Sequence, residues 1–353
     1  MNQSLTRASL IAIILLSMIS SAMVGCSPVE SEDTGQFPKK ITAQMPVELA
    51  FTKNKLFYAQ LNGDLKMIKR GSDSTETLET FEVPDQKTFK EAGILGMALS
   101  PSFSKRPNVY LYQSYQEGDK VFNRVIKVNA ERPAERPLVV IDGIRGARNH
   151  NSGKIAFGTD GKLYIATGDS RVKNRSQDVD VLEGKILRIN PDGSIPSDNP
   201  FENAVWSIGH RNIFGMAFQD NGKLLITENG ATENDEINEI VRRGNYGWPI
   251  VTGFSDEFRD PIKVYKQVIA PTGIIIYKGD RYPELTGKPV FADYLKGKIR
   301  VLEIGREQVE SRVIADFKEG VIALAESPEG YIYAATESKI LRTKIKRKET
   351  VAN

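Results

Sequence analysis

Cysteine occurs once in this 353-residue chain, at Cys26, and histidine only twice, at His150 and His210. A single thiol rules out an internal disulfide, so the fold must rest on a buried core rather than on covalent cross-links. An excess of one charge is also lacking. Lys and Arg number 48 against 45 Asp and Glu, a net of +3, which gives no reason to expect nucleic acid as a partner. The basic run Lys344-Ile345-Lys346-Arg347-Lys348 is short and near the end of the chain, and reads as a solvated tail. No apolar run reaches the roughly 20 residues that a membrane-spanning helix needs, and helical periodicity is scarce.

What the N-terminus does contain is an export signal. Residues 1–25 carry Arg7 and no acid, with an apolar core from Leu10 to Ile19 and small residues before Cys26. This is a secretory pattern, and Gly25-Cys26 resembles the cleavage site of bacterial lipoproteins, in which the cysteine becomes the lipidated first residue. The alternative is ordinary cleavage that leaves Cys26 a free thiol. The expectation is an exported protein, anchored through lipid alone to a bacterial envelope membrane, in the periplasm or at the cell surface, as a monomer or homodimer. Residues 26–44 are polar and read as a tether, 45–345 as the folded body and 346–353 as a basic tail.

The body is repetitive. An apolar strand, an Asp-Gly, Asn-Gly or Glu-Gly turn, a second apolar strand, a polar break and a third strand recur, most clearly from Ile155, Met216 and Ala323 and more weakly from Leu49, Gly96 and Thr272. Such turns between short apolar runs are hairpin signals. Six units of this kind predict an all-β fold, a six-bladed β-propeller of four-stranded antiparallel sheets, over the competing large β-sandwich.

Both histidines lie in polar, glycine-punctuated segments beside strands. Histidine exchanges protons near neutral pH, so an active-site role competes with a packing role at a strand end. The order of His150-Asn151-Ser152-Gly153-Lys154, Gly168-Asp169, Gly184-Lys185-Ile186-Leu187-Arg188-Ile189, Gly209-His210-Arg211-Asn212, Asp235-Glu236-Ile237-Asn238 and Gly244-Asn245-Tyr246-Gly247-Trp248-Pro249 resembles the soluble quinoprotein glucose/sorbosone dehydrogenases. These are six-bladed propellers that use pyrroloquinoline quinone (PQQ) to oxidise aldose sugars. The resemblance covers about residues 45 to 343. It implies His150 as general base, Asp169 as the carboxylate that holds it, and Arg211 and Asn212 facing the quinone. Lys296 would meet a cofactor carboxylate, and His210 would support its loop. Calcium would be held at Glu236 and the Tyr246 segment, with the Gly230 and Ala231 carbonyls near the cofactor.

The sequence departs from the family pattern at two places. The usual Arg-x-Arg pair that grips PQQ carboxylates is replaced by Gly320 and Ile322, and a Gln is replaced by Glu91. Loss of bidentate Arg–carboxylate pairs predicts weak PQQ retention, with Lys318 or Arg300 as possible substitutes, and predicts that arginines restored at 320 and 322 tighten binding. Three readings stand at this point. They are a PQQ- and calcium-dependent aldose dehydrogenase, a non-catalytic propeller that binds a sugar or an envelope partner, and a calcium-dependent lactone hydrolase.

Overall fold

Short apolar runs punctuated by turn residues build a ring of small sheets. The computed structural model describes residues 36–346 except 307; Cys26 and residues 347–353 of the expected tail lie outside it. Strand β1 (Lys40–Thr42) comes first. Blade 1 is β2 (Pro46–Phe51), β3 (Lys55–Gln60), β4 (Asp64–Lys69) and β5 (Thr75–Thr80). Blade 2 is β6 (Ile94–Leu99), β7 (Asn108–Glu117), β8 (Lys120–Asn129) and β9 (Leu138–Arg145). Blade 3 is β10 (Ser152–Phe157), β11 (Leu163–Thr167), β12 (Lys185–Ile189) and β13 (Val205–Ile208). Blade 4 is β14 (Ile213–Phe218), β15 (Leu224–Glu228), β16 (Asp235–Ile240) and β17 (Lys263–Tyr265). Blade 5 is β18 (Pro271–Ile276), β19 (Pro289–Asp293), β20 (Lys298–Ile304) and β21 (Val309–Asp316). Blade 6 is β22 (Ala323–Glu326), β23 (Ile332–Ala335) and β24 (Lys339–Arg342), completed by β1. All sheets are four-stranded and antiparallel, and the first strand of each blade contacts that of the next around a closed circle. The six-bladed propeller expectation holds.

One expected boundary moves. Residues 36–44, assigned to the tether, belong to the propeller: β1 pairs with β24 in the register Ile41↔Ile340, and Phe37 and Ile41 are buried. The strand is short and flanked by lysines, so its pattern is polar until its partner is known.

The turns follow from their residues. Gly161, Gly222 and Gly330 adopt φ of +73°, +84° and +75° at the first hairpins of blades 3, 4 and 6, a backbone region that glycine enters without steric cost. Each seam between blades carries an aromatic or tyrosine contact. Phe57–Phe103, Tyr110–Phe157, Tyr164–Phe218, Tyr265–Phe291 and Phe51–Tyr333 have ring centroids 4.9–6.0 Å apart. Between blades 5 and 6 the Tyr277 hydroxyl donates to the Gly330 carbonyl at 2.8 Å. Such pairs add about 0.5–1.5 kcal/mol each beyond area burial.

Antiparallel order gives the ring two faces. The first strand of every blade begins, and the second ends, on what we call the mouth; the first hairpins lie on the opposite base. In five of six blades the pairing of these two strands is irregular at the mouth end. Bulges of this kind re-aim side chains, and the candidate residues sit there. Below the mouth a small cavity is lined by Met97, Met216, Ile274, Leu324 and the Lys154–Glu48 ion pair at 3.1 Å.

Candidate active site

His150 stands just before β10 and Asp169 just after β11, so both reach the mouth from blade 3. Its Nδ1 lies 2.8 Å from Asp169 Oδ1. Asp169 also accepts the Arg171 N–H at 2.9 Å and, on Oδ2, the Trp248 indole N–H at 2.9 Å. A carboxylate accepts and does not donate, so the imidazole proton belongs on Nδ1 and the lone pair on Nε2. Arg211, preceding β14 in blade 4, places Nη2 3.1 Å from that Nε2.

The backbone is shaped for this arrangement. His150, Ser152, Ser170 and Arg171 all have φ between +47° and +65°, a left-handed conformation that costs a non-glycine residue about 1–2 kcal/mol. Gly168 explains part of it: a Cβ there would lie 1.9 Å from the His150 carbonyl oxygen.

Asp169 is fully buried. Burial alone would raise its carboxyl, but the His150 hydrogen bond and the Arg171 and Trp248 donors outweigh that and hold it below the usual carboxylate range. Burial pushes the Arg211 guanidinium below its ordinary value, against the pull of Asp169, Glu228 and Glu91. Arg211 also lies 5.4 Å from the Trp248 ring, donates Nη1 to the Asn229 carbonyl at 2.9 Å, and leaves Nε without a partner. Asn212 accepts from the Ser152 hydroxyl at 3.2 Å through Oδ1 and points its Nδ2 at Glu91, 3.4 Å away.

His210 supports its loop, as expected. It donates no chemistry to the mouth: it is fully buried, stacks on Tyr246 at 4.8 Å, and bridges Ser207 and Glu228. The serine, histidine and carboxylate line up as in a hydrolase, but Ser207 is also fully buried.

Glu228, Glu236, Gly230 and Tyr246 line one small cavity with Arg211, Asn229 and Trp248; Ala231 is exposed and outside it. Burial, reinforced by Glu228, pushes Glu236 up to about 7 against the Gly253 N–H that it accepts at 2.6 Å. The Tyr246 hydroxyl donates to the Glu239 carbonyl at 2.6 Å and accepts the Val241 N–H, so only the backbone of Tyr246 has oxygen to offer a metal. Among the described residues no group of three His, Cys, Asp or Glu comes together as a metal cluster.

Lys296 shares the mouth face from blade 5, in the β19–β20 connection, and is exposed; no contact joins it to Arg211. Arg300 cannot stand in for the missing arginines, because Asp293 holds its Nε at 2.9 Å. Gly320 is covered: a Cβ there would lie 2.4 Å from the Tyr294 ring, whose hydroxyl donates to Glu337. Arginines at 320 and 322, expected to tighten binding together, would therefore have to displace the Tyr294 ring. Glu91 is built into the site, its Oε2 accepting the His150 N–H at 2.7 Å.

Sequence reasoning missed Trp248, Glu228 and Lys185. Lys185 is fully buried and pushed down to about 8 by burial. Its ammonium donates to the carbonyls of Arg175, Ser176 and Glu183, at 2.7, 3.2 and 2.5 Å, and so ties down the loop after Asp169. A repeat comparison contained the signal for Glu228. The second strands of blades 4 and 5 end in an acid (Glu228 and Asp293), that of blade 3 has Asp169 two residues beyond its end, and each acid is buried around a cation or N–H donor.

Comparison with known proteins places the chain in a family. Residues 43–342 match the family Glucose / Sorbosone dehydrogenase. The chain is 29% identical over 286 residues to quinoprotein glucose dehydrogenase B of Acinetobacter calcoaceticus, covering 70% of this chain and 60% of that one. It is 29% identical to the aldose sugar dehydrogenase YliI of Escherichia coli, covering 72% and 77%. The PQQ-bound aldose sugar dehydrogenase of Streptomyces coelicolor superposes with a TM-score of 0.72 at 25% identity, covering 88% and 99%. By matched length and shared architecture, the chain belongs to the glucose/sorbosone dehydrogenase family.

Proposed function

We propose that this chain oxidises the anomeric hydroxyl of aldose sugars with hydride passing to PQQ, as an exported protein anchored by lipid on Cys26, with calcium beside the cofactor. The observation that carries the reading is the line Asp169–His150–Arg211, with hydrogen-bond spacings of 2.8 and 3.1 Å. PQQ, when bound, supplies the hydride acceptor. The chain does the rest. Asp169 fixes the proton on Nδ1, so Nε2 is the acceptor for the sugar hydroxyl proton, as general-base catalysis requires. Arg211 holds Nη2 3.1 Å from that nitrogen and so fixes the ring from its other side. Its guanidinium then answers negative charge that develops opposite it.

The residues fit an anionic quinone in part. Arg211, with its orphaned Nε, Asn212 and Lys296 would hold it. Glu91 and the covered Gly320 weigh against it, so retention is weak. For calcium, Glu236 once ionised and the carbonyls of Gly230 and Tyr246 are oxygen donors of the type that ion takes, whereas Ala231 lies outside the cavity. A divalent cation would offset the repulsion between Glu236 and Glu228. Tyr294 over Gly320 favours a second reading, a binding propeller that has lost PQQ.

Dye reduction across several aldoses by protein loaded with PQQ and calcium separates the two. His150→Gln is expected to lower the rate by about 10²–10⁴ while calorimetric PQQ uptake is retained. Absence of both turnover and cofactor binding at saturating PQQ and calcium would leave the binding propeller.

A further inference from the structure

The first described residue, Gln36, lies on the base of the ring, opposite the mouth. Its carbonyl accepts the Gly71 N–H at 3.0 Å, and its side chain takes the Arg342 guanidinium at 2.6 Å. Around this point the base is basic. Arg342 and Arg281 both lie over the Tyr331 ring, 4.2 and 3.8 Å from its centroid. Arg70 reaches the Lys53 carbonyl and pairs with Glu329 at 2.6 Å. Lys39, Lys53, Lys69 and Lys344 are exposed on the same side. The acids there are Glu329, which is bound by Arg70, Glu326, which accepts the Lys278 N–H at 2.7 Å, and the exposed Asp73, Glu76 and Asp280, fewer than the bases. Other acidic groups of the base lie elsewhere around the ring, among them Glu131 and Glu135 after β8, Asp192 after β12 and Asp220 in the first hairpin of blade 4.

We propose that this basic sector of the base, at blades 6 and 1, is a docking surface for an anionic phospholipid bilayer, and that it turns the mouth away from the membrane. The orientation rests on the lipid-anchor reading above; the surface does not. Two observations point the same way. The chain enters the propeller at the centre of the basic sector, and Cys26 precedes Gln36 by ten residues, which span about 35 Å at most. A mouth-down posture would make the tether climb the outside of a ring whose strands are about 20 Å long, which uses most of that reach. Charge complementarity acts within a Debye length of about 8–10 Å, the distance at which a base-down body holds these lysines. Each basic residue near such a surface is worth about fivefold in partitioning.

The test exploits the single cysteine. Lipid consumes the Cys26 thiol, so a cysteine placed at Ser74 on the base or Ser338 on the mouth takes one fluorophore alone. The lipidated chain is reconstituted on phosphatidylcholine vesicles containing phosphatidylglycerol and a head-group quencher. Strong quenching is expected for the Ser74→Cys probe and weak quenching for Ser338→Cys, and the contrast should fade when Lys39, Lys53 and Lys69 are changed to Glu. Equal quenching, or stronger quenching at Ser338, overturns the orientation. In parallel, the unlipidated Cys26→Ser chain is sedimented with the same vesicles and with pure phosphatidylcholine. At least a tenfold preference for the anionic vesicles, lost in the triple variant, is expected; no preference overturns the docking surface. Mass spectrometry that finds no lipid on Cys26 overturns the anchor reading and the orientation that rests on it, whereas the docking surface stands or falls on the sedimentation result.

Discussion

Asp169 does two things with one carboxylate: it sets the His150 tautomer through Oδ1, and through Oδ2 it holds Trp248, whose ring lies 5.4 Å from Arg211. Asp169→Asn should therefore lower turnover by about 10² or more, because an amide can donate to Nδ1 and favour the wrong tautomer. The same variant tests a linkage. A carboxyl held below its ordinary value adds stability that is fully present above the unfolded pKa of about 3.9 and is lost as pH falls through the lower, folded value. Urea midpoints below pH 4 should thus fall more steeply for the native chain than for Asp169→Asn, and parallel profiles would contradict the assignment. Arg211→Ala should weaken PQQ uptake in calorimetry and slow dye reduction together, since the guanidinium meets both the base and the cavity. Loss of rate with unchanged uptake would confine Arg211 to the proton-transfer side.

At the scale of loops and strands, one packed contact bears on the missing arginines. Tyr294 covers Gly320, so Gly320→Arg alone must displace a ring and should not tighten PQQ. Paired with Tyr294→Ala, and with Ile322→Arg added, it should lower the calorimetric Kd by about tenfold, the worth of roughly one good charge-assisted contact at 1.4 kcal/mol. A single Gly320→Arg that binds as tightly as the combined variant would refute the contact. What was legible in the sequence follows the same logic. Asp160-Gly161, Asn221-Gly222 and Glu329-Gly330 fix their hairpins within a few residues, so the blades could be read, and so could His150, Asp169, Arg211 and Asn212 beside strand ends. Trp248 meets Asp169 across 79 positions and Tyr294 meets Gly320 from a neighbouring connection; contacts of that kind leave no local period to read. β1 was hidden for the same cause, three residues whose only buried side chain, Ile41, gains meaning from Ile340.

For the molecule as a whole, closure depends on that strand. Without the segment that carries β1, blade 6 keeps three strands, β24 exposes an unpaired edge, and Tyr333 loses the Phe37 carbonyl to which its hydroxyl donates at 3.2 Å. A chain begun at residue 45 should melt at least several degrees lower and aggregate more readily, measurable by calorimetry and light scattering; an unchanged melting temperature would show that the ring closes without it. The pairing of Lys40 with Leu341 also has a consequence in time. The two halves of this clasp are among the first and last parts of the folded body to be made, so no nascent intermediate can complete the ring. Blades 1 to 5 can gather in order as they emerge, but the molecule acquires its final topology in one late step, whose loop-closure cost spans nearly the whole chain. A truncated translation product would then be an open arc rather than a smaller ring. Under the export proposed above, such late closure would keep the chain open until its last blade has been made.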